Sequence, residues 1–135
     1  MASELRVNTL KDASGNNSVA TSTVASGSAK TWSNYDQQTP TVTGSFNVAS
    51  VTDVSGGKHT VNFTSSMADT TYAVATYARR DNDGDNSHAG ITSNNTDTKT
   101  TSAMKFKTLY LDGGSANNGL VDLDENGHHF MGDLA

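Results

Sequence analysis

Cysteine is absent from this chain, which excludes disulfide staples and a thiol nucleophile. A single proline, Pro40, leaves the backbone almost free of forced breaks. No stretch of about 18 apolar residues exists, and the opening MASELRVN lacks the apolar core of a signal peptide. The expectation is a soluble product made in the cytoplasm, with no membrane insertion. Nine lysines and arginines stand against fourteen aspartates and glutamates, for a formal charge of -5, which argues against a surface that tracks nucleic-acid phosphates.

Large aliphatic residues are also scarce. Leu, Ile, Val and Phe supply 22 of 135 residues, whereas Ser, Thr, Asn and Gly supply 60. So little apolar material at this modest net charge places the chain between a disordered and a globular composition. A chain of this size with few groups to bury gains stability from staples or from a core shared between copies. With disulfides excluded, association of several copies is the expected remedy.

The clearest folding signal runs from Ser45 to Ala78. Phe46 and Val48 share one parity, and the pattern then slips to Val51 and Val54, which predicts a bulge near Ala49 to Ser50. Ser55-Gly56-Gly57-Lys58 supplies a tight turn, after which His59, Val61 and Phe63 fall on one face. Tyr72, Val74 and Thr76 alternate with Ala73, Ala75 and Tyr77 in a third strand. Phe46, Val48, Val51, Val61, Phe63, Tyr72 and Val74 are the predicted core.

Further on, 88–92 forms a short strand between polar loops at 79–87 and 93–102. Ala103 to Leu111 alternates cleanly, with Met104, Phe106, Thr108 and Tyr110 on one face. Leu120 to Met131 reads as a closing hairpin around an Asn126-Gly127 turn. Helical spacing is nowhere convincing. Six to eight short strands point to an all-β fold, an antiparallel β-sandwich or barrel-like module.

Before Trp32 the chain is small and polar, apart from a short alternating run in which Leu5 and Val7 share a face. Residues 1–31 are therefore read as an extended N-terminal arm for attachment or oligomerisation, with Leu5, Val7 and Leu10 as its contacts. A plain disordered tail is the alternative. Residues 32–135 form the β module.

No catalytic constellation stands out. Asp81, Asp83 and Asp85 have the opening spacing of a calcium loop, but Asn86 and Thr92 occupy the positions that need Gly and Glu, so a solvated hairpin tip is the default. His128-His129 invites a metal reading. Consecutive strand residues face opposite ways, so a satisfied or solvent-exposed pair is the simpler account. His59 and His88 receive no role. The many serines lack a nucleophile-elbow setting, and Asp122, Asp124 and Glu125 lie in a predicted turn, a poor place to desolvate an acid. Trp32, Tyr35 and Tyr77 are candidate receptor-facing aromatics that could stack on a sugar ring, with a lid over the core as the competing reading for Trp32 and Tyr35. No cofactor is expected.

Certain segments carry a resemblance. Ser3 to Asn8 (SELRVN), the turn Ala13 to Asn16 (ASGN), the Ala/Ser/Thr-rich stretch Ser18 to Trp32, Phe46 to Asp53 (FNVASVTD) and Thr60 to Thr64 (TVNFT) resemble the fibre-type and decoration-type virion structural proteins of marine tailed bacteriophages. The likeness covers residues 3 to 78. It implies a homotrimeric structural unit without catalytic activity, placed on the virion after synthesis in the host cytoplasm. Its implied partners are other copies of itself and phage capsid or tail proteins. Short fibre, capsid decoration and tail-fibre tip or glycan-binding module for host attachment all remain open. The segments beyond Ala78 fall outside the resemblance.

Overall fold

The computed structural model describes residues 6–15, 18–80, 87–93, 99–112 and 119–135. Eleven strands and one short helix are described: Thr9–Leu10 (β1), Val19–Ala20 (β2), Thr21–Gly27 (α1), Ala29–Asp36 (β3), Thr41–Phe46 (β4), Val48–Ser55 (β5), Lys58–Phe63 (β6), Ala73–Arg79 (β7), Ser87–Ser93 (β8), Ala103–Asp112 (β9), Gly119–Leu120 (β10) and Glu125–Met131 (β11). The fold is all-β, with every described pairing between these strands antiparallel.

Two sheets make the sandwich. One runs β4-β3-β11-β7. In the other β9 is the hub: its first half pairs with β6, which carries β5, and its second half pairs with β8 on one edge and β10 on the other. The predicted bulge is present, with a register shift between Val48 and Ser50, and a second falls between Asp53 and Ser55. The predicted turn follows, with Gly57 at φ 67°. A Cβ on Gly57 would stand 2.5 Å from the Val121 backbone nitrogen, so the turn packs where only glycine fits.

Asn47 joins the two sheets, linking β4 of one to β5 of the other. It adopts φ 55°, a left-handed conformation that Asn tolerates better than most residues. Its side-chain amide donates to Thr31 Oγ1 (2.9 Å) and the Ser65 carbonyl (3.1 Å), and its Oδ1 accepts from the Ser65 amide (2.7 Å). This corner corrects the core assignment of Phe46. Phe46 and Val48 would share a face on an unbroken strand, but the turn of chain between them leaves Phe46 55% exposed while Val48 packs on the core.

The core is graded along the sandwich. At one end Val61, Phe63, Met67, Tyr72, Met104, Phe106 and Phe130 form an apolar cluster, with Val48, Val51 and Val74 against it. Edge-to-face rings dominate it: Phe63 and Phe130 lie 4.8 Å apart and Phe63 and Tyr72 5.9 Å apart. The other end is polar, with Ser33, Gln37, His59, Thr108, Asn126 and His128 all buried, while buried Thr31 lies opposite Phe130 at the apolar end.

Three expectations are corrected. The stretch read as a linker contains α1, a seven-residue helix, and the start of β3 at Ala29. Asn126-Gly127 is not a turn but lies inside β11, the central strand between β3 and β7. The Asn126 amide donates to the carbonyls of Tyr35 and Leu123, each at 3.1 Å, which holds the dipeptide in extended form. Leu120 pairs with β9 in the other sheet instead of opposing β11.

Candidate functional site

The chain of polar groups through the core begins on β3 and crosses between the sheets. Ser33 Oγ lies 3.1 Å from His128 Nδ1, His128 Nε2 lies 2.9 Å from His59 Nε2, and His59 Nδ1 lies 3.3 Å from Gln37 Oε1. Gln37 Nε2 donates to Asp53 Oδ1 (3.3 Å), and Thr108 Oγ1 reaches both Gln37 Oε1 (3.0 Å) and the Val121 carbonyl (2.6 Å). The Asp53 carboxylate is an acceptor only, which fixes the Gln37 amide with its oxygen toward His59. His59 Nδ1 must then carry a proton, His128 must donate through Nε2, and Ser33 must donate to His128 Nδ1. Every link runs in one direction.

Burial lowers both imidazoles. His59 titrates near pH 4 through desolvation, and His128 near pH 3 through desolvation and then the neighbouring His59. Two neutral imidazoles in a closed network serve the interior, and neither is open to a ligand at 0% exposure. The sequence contained the signal: His59 falls in phase with Val61 and Phe63, and His128 with Phe130. The satisfied reading of the His128-His129 pair holds for His128, whereas His129 on the opposite face is exposed.

Tyr35 is corrected from a receptor-facing residue to a core one, at 2% exposure. Burial first, and then the Asp53, Asp122 and Asp36 carboxylates, push its phenol up to about 12. Its hydroxyl has no hydrogen-bond partner among the described residues.

Trp32 and Tyr77 do share a surface, the outer face of the β4-β3-β11-β7 sheet. Trp32 stands directly between Phe46 on β4 and His129 on β11, and Gly127 stands between Asn34 and Tyr77. Two glycines make room for the rings. A Cβ on Gly44 would lie 3.3 Å from Trp32 Cζ3, and one on Gly127 would lie 3.4 Å from Tyr77 Cβ and 3.5 Å from Asn34 Oδ1. Tyr77 is 54% exposed and Trp32 half-buried. Phe46, also exposed, extends the apolar surface of this face, which the sequence reading missed by placing Phe46 inside.

Val7 and Leu10 are exposed, and Leu10 pairs with Val19 in the β1-β2 ribbon. From Arg6 to Ser28 the described residues bury nothing, and only Val19 and Thr21 reach half-burial. Thr21 ties the segment to itself, donating from its backbone to the Asn8 carbonyl (3.0 Å) and from Oγ1 to Val7 (3.0 Å).

Leu5 and the Asp81, Asp83 and Asp85 triplet lie outside the described residues. Asp122 serves the fold, accepting the Gly57 amide at 2.6 Å, and Glu125 pairs with Arg79 at 2.9 Å. Among the described residues no group of three potential metal ligands converges, and no helix is long and apolar enough to cross a membrane. Comparison with protein-family models, curated proteins and solved structures returns no match.

Proposed function

We propose that this protein is a structural component of a bacteriophage virion, a short fibre or capsid decoration that acts by homotrimeric assembly and not by catalysis. The observation that carries the reading is the N-terminal segment Arg6–Ser28, organised into a ribbon and a helix yet almost wholly exposed. A seven-residue helix is too short to persist on its own in water, and α1 has no side-chain cap and no buried residue. Such a segment gains its order from a surface it docks on, through Val7, Leu10 and Val24. The apolar outer sheet face around Phe46 supplies a surface of the kind a neighbouring copy would cover. The virion assignment itself rests on the resemblance of residues 3–78.

Light scattering on the purified protein tests the assembly, with three times the 14.1 kDa chain mass expected. A monomer mass at all concentrations overturns it. Immunogold labelling of virions tests the location, with decoration of head, collar or tail expected.

A second reading, host attachment through a glycan, draws on one specific observation: Trp32 and Tyr77 present ring surface on one open sheet face beside Asn34. Replacing both aromatics with alanine should lower adsorption to host cells under this reading and leave it unchanged under pure decoration.

A further inference from the structure

The opposite sheet has a different outer face. Three of the nine basic residues of this acidic chain, Lys58, Lys105 and Lys107, gather there. The outward rows across the strands read Ser55, Lys58, Lys107, Thr92, then Thr52, Thr60, Lys105, then Ser50, Asn62, Ala103. Among the described residues these rows hold no carboxylate, although the chain has fourteen. Asp53 belongs to the inward row opposite His59 and is engaged by Gln37. Lys58 and Lys107 are directly opposed, a placement in which like charges repel and destabilise the ladder. A concavity of about 230 Å³ opens here, with Val54, Lys58, Thr60, Lys105 and Lys107 among its walls.

The geometry points to a binding face for an acidic polysaccharide, one carrying carboxylated or sulfated sugars. An anionic group seated between Lys58 and Lys107 turns their mutual repulsion into attraction to a shared partner, and each ammonium offers only donors. The flanking Ser, Thr and Asn side chains suit the hydroxyls of a sugar chain. Asn62 already bridges Ser50 Oγ (3.0 Å) and Thr52 Oγ1 (3.1 Å), which orders that end of the face. Three inter-strand gaps of about 4.8 Å make the first row roughly 14 Å long, more than a single small anion needs and suited to an extended polymer. A nucleic acid fits less well: the rows offer no aromatic ring for a base to stack on. This inference is independent of the assembly and attachment readings, which use the other sheet and the N-terminal segment.

Binding of the full-length protein to immobilised polygalacturonate, dextran sulfate, neutral dextran and oligo(dT) at low ionic strength tests it. Retention on polygalacturonate or dextran sulfate is expected, with the preferred polymer identifying carboxylate or sulfate as the recognised group. Neutral dextran should bind nothing and oligo(dT) much less. The Lys58→Gln/Lys107→Gln variant should bind about tenfold or more weakly. Its thermal midpoint should be unchanged or raised, because the opposed charges are gone. Lys30→Gln, which removes a basic residue from β3 of the other sheet, should bind as the parent does. No retention on either acidic polymer, equal binding by the double lysine variant, or equal retention on oligo(dT) overturns the proposal.

Discussion

Asn47 concentrates more consequence than any other single side chain. It satisfies three hydrogen bonds and holds a left-handed backbone where the chain passes from one sheet to the other. Asn47→Ala removes the bonds and strains the backbone, and should cost about 2–4 kcal/mol by chemical denaturation. Asn47→Gly relieves the backbone part and should cost about 1 kcal/mol less. Equal losses in the two variants would show that the conformation contributes nothing. The His59–His128 pair governs acid stability. Its folded-state values, near 4 and near 3, lie below the unfolded value of about 6.5, so below that pH the unfolded chain binds more protons. The pair's contribution is therefore complete above about pH 6.5 and drains away as the pH falls toward 3. The slope reaches at most about 1.4 kcal/mol per pH unit for each imidazole. His128→Leu strands Ser33 and one nitrogen of His59, at a cost of about 1–3 kcal/mol at neutral pH, and removes one of the two titrations. Denaturation midpoints between pH 7.5 and 4 should fall less steeply in that variant than in the parent.

Two glycines distinguish a true turn from a central strand. Gly57 has φ 67° and backbone against it on the Val121 side, so Gly57→Ala should cost about 3 kcal/mol or more. Gly127 lies in β11 with no positive φ, and a methyl there would meet neighbours at ordinary contact distance. Gly127→Ala should therefore be neutral or add up to about 1 kcal/mol, whereas a hairpin turn at Asn126-Gly127 would make it costly. The same elements mark what a sequence can reveal. β6 and β9 were legible because their inward residues are mostly apolar and alternate without interruption. β3 was not: its inward residues Thr31 and Ser33, with Gln37 just beyond its end, look like loop by composition and are buried only because Asn47 satisfies Thr31 and partners on β11, β6 and β9 satisfy the other two. β11 was misread because Asn-Gly is a strong local turn signal that pairing on both sides overrides. Phe46 was misplaced because one left-handed residue after it switches sheets, a change of parity that no alternation count detects. The lysine row needed the register of β6 against β9, which is tertiary information.

At the scale of the molecule, a graded core leaves one end of the sandwich apolar and the other dependent on a chain of hydrogen bonds, with Phe46, Tyr77, Val42 and the N-terminal segment unburied. Exposed apolar groups in a chain so short of them are wasted in a monomer and useful at a contact between copies. Deleting residues 1–28 removes β1, β2 and α1 but takes no residue from the core and no strand from either sandwich sheet. The truncated protein should keep the β signature in circular dichroism. If the segment docks on neighbouring copies, its light-scattering mass should drop from three chains to one, and its melting temperature should lose the concentration dependence that an associating protein shows. A truncated protein that still assembles fully would assign the contact to the outer face of the β4-β3-β11-β7 sheet. Phe46→Ser would then be the change that separates the copies, since Phe46 is the most exposed aromatic on that face and its loss uncovers no core.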